Sequence, residues 1–459
     1  MLGRTGFLST TIHVLKVLLA FVCHVFVAYM KRLNWTTIRN LTAFWLFGLC
    51  NNYAYVIMLS AAEDIMSKQE PTHSSSNSTD SDSACEAKLT SRHCTEMPIG
   101  AVLLADILPT LVIKLTFPFF MQRIPFGARH FVVVILQAAS YFVVAYSVNV
   151  AMSLAGVVLA SLGAGLGEIT YLALASHYNK NSISAWSSGT GGAGIIGALA
   201  YAGLTEPHFA NLSPKTTLLV MLIVPVIFAF AYWILLVIPD TIYTPQLTSP
   251  KTWIVPELNT VPYKIAPYFE KEVPEHIPAA KLTFKEQVTL VLPLLKYMIP
   301  LALVYVGEYF INQGLTALIF FDCSHGFSLS RSSQYRWYQV IYQLGVFISR
   351  SSVNIIQLPL WALILLPILQ LLNAGFFLVE AVYWFVPHIG IIFALILFEG
   401  FFGGASYVNT FNTIHKKVKP EVREYSLSVA SLGDSFGIVI AGFLSIPLHN
   451  FVCKQKMYI

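Results

Sequence analysis

Charge is scarce in this sequence. Of its 459 residues only 11% are Asp, Glu, Lys or Arg, against roughly a quarter in a soluble globular domain. A soluble chain of this length needs a large charged surface, so the composition excludes a cytosolic enzyme, a nucleic-acid binder and a disordered scaffold. Six cysteines are too few for a disulfide framework of the small-secreted type. No Gly-rich loop ends in Lys-Ser or Lys-Thr, which excludes an ATP motor within this chain, and neither a paired-His metal motif nor Cys-x-x-Cys occurs. No nucleophile and base are tied together by the sequence, so no enzyme, cofactor or metal is expected. What is plentiful is apolar: 56% of residues are hydrophobic and 14% aromatic. The class is a polytopic membrane protein.

A helix needs about 20 mostly apolar residues to cross a bilayer. Eleven segments qualify, near 41–61, 98–121, 130–148, 151–176, 187–206, 216–239, 288–310, 335–353, 359–380, 386–411 and 425–448. They are too long for lipid-facing strands, so the expected fold is all-α. A twelfth apolar run, 7–30, is interrupted by His13, Lys16 and His24. It reads either as an extra N-terminal hydrophobic helix or as an unstructured start. As a signal peptide it has a poor cleavage site, because Phe26 stands where a small residue is wanted.

Loop charges orient the chain. Lys31, Arg32, Arg39, Arg123, Arg129, Lys180, Arg350, Lys416, Lys417, Lys419 and Arg423 fall in or beside alternate loops, which places those loops in the cytoplasm. Loop 62–97 is acidic, Ser-rich and lumenal, and it carries the glycosylation sequon Asn77-Ser78-Thr79. In the same loop Cys85 and Cys94 are expected to form a disulfide, with Cys323 as a competing partner. The Pro-punctuated stretch 240–287 separates six spans from five. The expected organisation is an apolar extension over 1–40, a six-helix bundle over 41–239, a cytoplasmic linker over 240–287, a five-helix bundle over 288–448 and a lumenal tail over 449–459.

A faint repeat links the two bundles. Gly167-Glu168-Ile169-Thr170-Tyr171 in span four resembles Gly403-Gly404-Ala405-Ser406-Tyr407 in span ten. Ser188 to Gly194-Ile195-Ile196 in span five resembles Ser431 to Gly437-Ile438-Val439 in span eleven, and Val112-Ile113 in span two resembles Val340-Ile341 in span eight. Every match is offset by six spans, as parallel halves require. Chance likeness between Gly-rich helices is the competing explanation. Duplicated halves rock about a central site. The three glycines of Gly189-Thr190-Gly191-Gly192-Ala193-Gly194 fit a dinucleotide pattern, but no strand precedes them, and close helix packing is the better use.

Charge inside hydrocarbon costs a few kcal/mol even on the gentlest scale, so its placement is informative. Asp106 and Lys114 lie in span two, Glu168 in four, Lys296 and Glu308 in seven, Arg336 at the start of eight, Glu399 in ten and Asp434 in eleven. Asp106 and Lys114 are about 80° apart around the helix and roughly 12 Å apart along it, so their partners come from other helices. Asn51 and Asn52, Asn312 and Asn409 add hydrogen-bonding capacity. Each of these residues also has a plainer reading, as a buried structural pair, interhelical glue or a snorkelling end residue.

These residues sit in segments that carry a resemblance. Phe44-Trp45-Leu46-Phe47-Gly48-Leu49-Cys50-Asn51-Asn52, Ala105-Asp106-Ile107-Leu108-Pro109-Thr110, Glu308-Tyr309-Phe310-Ile311-Asn312-Gln313-Gly314, Ser349-Arg350-Ser351-Ser352 and Tyr407-Val408-Asn409-Thr410-Phe411 are similar to the battenin family of lysosomal membrane proteins. The resemblance runs from about residue 40 to 450. It implies a major-facilitator-like fold of eleven spans, residence in late endosomes and lysosomes, and a role in lumenal pH, basic amino acid levels and glycerophosphodiester clearance. The layout is also distantly similar to equilibrative nucleoside transporters. Family N-termini are polar, whereas 7–30 is apolar here. Cys453 is followed by six residues rather than three, so the prenylation box is absent.

Two functions remain open: a secondary transporter of a small polar or anionic solute, and a non-transporting protein that organises trafficking. For the first, the expected site is a central cavity. Lys114, Lys296 and Arg336 would neutralise an anionic group there, while Glu308 first, then Glu168 and Asp106, would carry protons.

Overall fold

The computed structural model describes residues 34–69, 85, 89, 99–205, 210–246, 249, 253–255 and 282–455. The expectations for 7–30, Asn77 and Cys94, and most of those for 62–97 and 240–287, lie outside the described residues. Among the described residues the chain forms eleven long helical segments. In the first half these are α1 (Trp35–Gln69), α2 (Ile99–Thr116), α3 (Phe126–Ala145), α4 (Val150–Ala175), α5 (Asn181–Thr205) and α6 (Pro214–Leu235). In the second half they are α7 (Phe284–Leu318), α8 (Arg331–Ser351), α9 (Leu360–Tyr383), α10 (Ile389–Lys417) and α11 (Pro420–Cys453). Each overlaps one expected apolar segment. Seven of them (α3, α4, α6, α7, α9, α10 and α11) are long and apolar enough to cross a membrane by length and composition.

The expected boundaries need correction at three places. The linker stops at 283 rather than 287, because a capping box starts α7. In it the Thr283 N–H donates to Glu286 Oε2 at 2.8 Å and the Glu286 N–H donates to Thr283 Oγ1 at 3.4 Å, satisfying two otherwise orphaned donors. The tail expected from 449 is helical as far as Cys453, and α1 begins at Trp35, inside the expected extension.

The helices pack as two similar bundles. Within the first, α1 lies along α5 and α2 along α4; within the second, α7 lies along α11 and α8 along α10. These are the same pairs shifted by six helices. The closest crossings rest on glycine: a Cβ on Gly48 of α1 would fall inside the Trp186 carbonyl of α5, and one on Gly437 of α11 inside the Ala302 carbonyl of α7. Between the bundles, α2 packs on α11 and α5 on α8, again a pair related by the six-helix shift. Apolar faces elsewhere are left outward, as on α9, where Trp361, Ile364, Ile368 and Leu372 are exposed.

One disulfide expectation is overturned. Cys85 pairs with Cys323, their Cα atoms 5.3 Å apart, not with Cys94. Closeness in sequence suggested a local bridge. Instead Cys85 lies at the turn between α7 and α8, so the bond ties the first half of the chain to the second. Cys453 is also disulfide-bonded.

Candidate functional site

The seam between the bundles is built by two interruptions in helical hydrogen bonding. In α2, Pro109 has no N–H to give, and the Ser161 hydroxyl of α4 enters the gap. It donates to the Asp106 carbonyl and accepts from the Thr110 N–H at 3.2 Å, while Thr110 Oγ1 donates to the Ser161 carbonyl at 2.7 Å. This fixes α2 on α4 one turn before Lys114. In α11 the α-helical run breaks at Ser431. The Ser435 N–H turns to Asp434 Oδ1 at 2.6 Å, and the Ser431 carbonyl is left facing α2.

Lys114 fills the place so made. Its Nζ lies 2.7 Å from Glu168 Oε2 and 2.9 Å from Asp434 Oδ1, and it donates to the Ser431 carbonyl at 3.0 Å. The Lys114 side chain is only 1% exposed. Three ammonium protons meet three acceptors, one on α4 and two on α11, which satisfies the group completely. Lys114 was expected as a free cation for an anionic ligand; the structure corrects this, because two carboxylates already neutralise it.

The network continues into the second bundle. The Tyr407 hydroxyl of α10 donates to Glu168 Oε1 at 2.8 Å and accepts from Trp186 Nε1 of α5 at 3.2 Å. The Arg350 guanidinium of α8 lies over the Tyr407 ring, 4.3 Å from its centroid. Its two Nη atoms donate to Thr190 Oγ1 of α5 at 2.5 Å and to the Tyr305 hydroxyl of α7 at 2.9 Å. Arg350 makes no ion pair among the described residues, and its Nε is buried without a partner. Beside it, Ser188 and Ser351 hydroxyls meet at 2.9 Å across the α5–α8 contact. Sequence reasoning placed Arg350 at a cytoplasmic helix end and gave no role to Tyr407, Trp186, Tyr305 or Thr190. The usable signal was Arg350 lying within hydrogen-bond reach of the glycine-rich face of α5, which only the six-helix pairing would have suggested.

The other expected site residues divide. Glu308 and Asn312 of α7 gather with Glu399 of α10 inside the second bundle, where Asn312 Nδ2 donates to Glu399 Oε1 at 2.8 Å and Tyr342 OH donates to Glu308 Oε1. Asp106 is fully buried, with the Tyr55 hydroxyl beside its carboxylate. Asn51 donates Nδ2 to the Ala164 carbonyl at 3.0 Å, and Asn52 to the Gly48 carbonyl of its own helix at 3.2 Å. Asn409 accepts from the Leu358 N–H at 2.8 Å and donates to the Ala405 carbonyl at 3.0 Å, so it ties down the approach to α9. Lys296 and Arg336 are exposed on the bundle's flank and are corrected out of the site. Long basic side chains near helix ends extend outward rather than turn into the core.

Further along the seam, Glu424 of α11 takes Arg129 at 3.6 Å and His177 at 3.7 Å from the first bundle. Thus the two bundles are joined by charge at two levels.

A family model described as CLN3 protein matches residues 42–455. The chain belongs to the CLN3 family. Battenin of Canis lupus familiaris is 44% identical over 431 residues, 93% of this chain and 93% of that protein. Protein btn-1 of Neurospora crassa is 35% identical over 452 residues, 90% of this chain and 88% of its own length. Among solved structures, the human organic anion transporter MFSD10 (TETRAN) matches with a TM-score of 0.53 at 14% identity, over 91% of this chain and 94% of that one. This CLN3-family chain therefore has a major-facilitator-like, all-helical membrane fold, and the seam just described is the boundary between the two halves of that fold.

Proposed function

We propose that the chain is a secondary transporter that crosses the late-endosomal and lysosomal membrane eleven times. It exports a small anionic or polar solute of glycerophosphodiester type as the two bundles rock about their seam. Its contribution to lumenal pH and basic amino acid balance follows from that flux. One observation carries this reading: Arg350 is a cation held at the bundle boundary by hydroxyls and an aromatic face, with no carboxylate paired to it. A cation so placed gains most from an anionic ligand, and its planar fork suits a phosphodiester. One lysine shared by two carboxylates leaves one negative charge over in the Lys114, Glu168 and Asp434 group, which supports protons accompanying the solute. The 240–287 linker then faces the cytoplasm and Asn77 carries glycan in the lumen.

The test is uptake of a radiolabelled glycerophosphodiester into proteoliposomes. Arg350→Lys keeps the charge and loses the fork, so KM is expected to rise at least about tenfold with the protein still folded. Unchanged KM in Arg350→Lys and in Arg350→Gln removes Arg350 from solute recognition.

A further inference from the structure

The second bundle buries a group of oxygens that the protein itself does not satisfy. Glu308 (1% exposed) uses Oε1 to accept from Tyr342, and its Oε2 has no partner. Asn312, one turn along α7, commits its Nδ2 to Glu399 Oε1 and leaves its own Oδ1 unpartnered. Glu399, fully buried on α10, likewise leaves Oε2 unpartnered. Natural proteins rarely leave buried oxygens unmet, and each such case asks for an absent partner.

The three residues lie on neighbouring rungs of one helix contact. The helices run antiparallel, so Asn312 meets Glu399 on one rung and Glu308 meets Gly403 on the next, about 5.4 Å away. Gly403 is required there: a Cβ would fall inside the Glu308 carboxylate. At the same level α7 departs from α-helical geometry in a π-turn over Ile311–Leu315, a form that frequently marks functional sites. Gln370 of α9, packed on Gly307, adds a buried carboxamide with neither end bonded. No Lys, Arg or His pairs with Glu308 or Glu399 among the described residues. Arg350 and Asp434 act on Glu308 at longer range, and Glu308 acts on Glu399.

We propose that Glu308, Asn312 and Glu399 bind a sodium ion. Carboxylate and carboxamide oxygens are donors for a hard cation. Calcium and magnesium bring two positive charges, more than this group leaves unbalanced once Arg350 is counted. Charge agrees with a single positive unit: Arg350 offsets one carboxylate from a distance, and one monovalent ion offsets the other. The site stands on its own geometry and rests on the transporter reading only for what the ion drives. There it would couple solute movement to sodium.

The test uses the full-length protein in lipid nanodiscs at neutral pH, with sodium chloride titrated against choline chloride at constant ionic strength. Thermal stability is expected to rise saturably with sodium and not with choline, since a ligand of the native state stabilises it by mass action. Glu399→Gln and Asn312→Leu are expected to weaken the half-saturating sodium concentration at least about tenfold. Identical melting in sodium and choline overturns the proposal, as does a stability that follows pH alone, which would assign the carboxylates to protons. The wild-type titration decides the matter even where a variant fails to fold. Because melting is read without any solute, failure here is distinct from failure of the glycerophosphodiester flux assay. Sodium binding without any effect of sodium on flux would confirm the site and remove the coupling.

Discussion

Two buried polar groups in this molecule are each built around two carboxylates and end in opposite states. At the seam, Lys114 meets Glu168, Asp434 and a freed carbonyl, so every ammonium proton is used. Within the second bundle, Glu308 and Glu399 have no cation at ion-pair distance and keep a free oxygen each. The difference teaches what each is for. A completed network fixes the position of α11 on α2. An incomplete one has kept a place for something that arrives from outside.

The comparison breaks most severely at Lys114. Lys114→Met removes one partner from a buried group and strands two carboxylates, a change expected to cost about 3–5 kcal/mol. Adding Glu168→Gln and Asp434→Asn removes the stranded charges and should recover most of that loss. Glu399→Gln in choline buffer is the contrasting case: it deletes a charge with no cation at ion-pair distance and keeps an oxygen to accept from Asn312, so melting should stay level or rise. Thermal melts of the variants in nanodiscs check both. Equal losses for Lys114→Met and Glu399→Gln would erase the distinction between the two groups.

The bundles are also tied covalently by Cys85 and Cys323. Peptide mapping without reductant should recover these two joined. Cys323→Ser is expected to lower the melting temperature, because the bond closes a loop of 238 residues in the unfolded chain. Recovery of Cys85 joined to Cys94 instead would leave the seam held by side chains alone.

The helices were legible because a bilayer demands long apolar runs, and that pattern is local in sequence. Lys114, Glu168 and Asp434 were legible for the same reason, since charge in such a run stands out. Their pairing was not, because it depends on Ser431 breaking α11 and on Ser161 entering the ladder of α2, neither of which leaves a mark in composition. Arg350 was missed because it ends a span and looks like an end residue. Lys296 and Arg336 were misplaced by the reverse error: both lie within apolar stretches yet face outward, since a long side chain can leave a helix that its Cα belongs to. Cys85 and Cys323 are 238 residues apart, and only the packing of the bundles brings their loops together.

The smallest effect is expected outside the membrane, in the turn that carries Cys323, and it completes the comparison with a carboxylate that is neither paired deep in the seam nor left open. Asp322 Oδ1 accepts from the Ser324 N–H at 2.9 Å, the Ser324 hydroxyl at 2.6 Å and the His325 N–H at 2.9 Å. Partial burial alone would raise its pKa, but the hydrogen bonds from Ser324 and His325 outweigh it and hold the carboxyl down at about 2. The turn is held against the start of α10 by the Ile389 N–H, which donates to the His325 carbonyl at 3.1 Å, and it carries left-handed backbone at Phe327 and Ser328. A depressed carboxylate adds stability above the ordinary range for aspartate, and that stability is lost only as pH falls from 3.8 through about 2. Mild acid near pH 5 does not reach that window, so Asp322 stays ionised there. Hydrogen exchange over 322–328, corrected for intrinsic rates, should therefore be equally protected at neutral pH and at pH 5 and loosen only in stronger acid. Asp322→Asn should lower that protection at every pH without moving the global melt. Loosening of the wild-type turn near pH 5 would show that the hydrogen bonds do not hold the carboxylate as described.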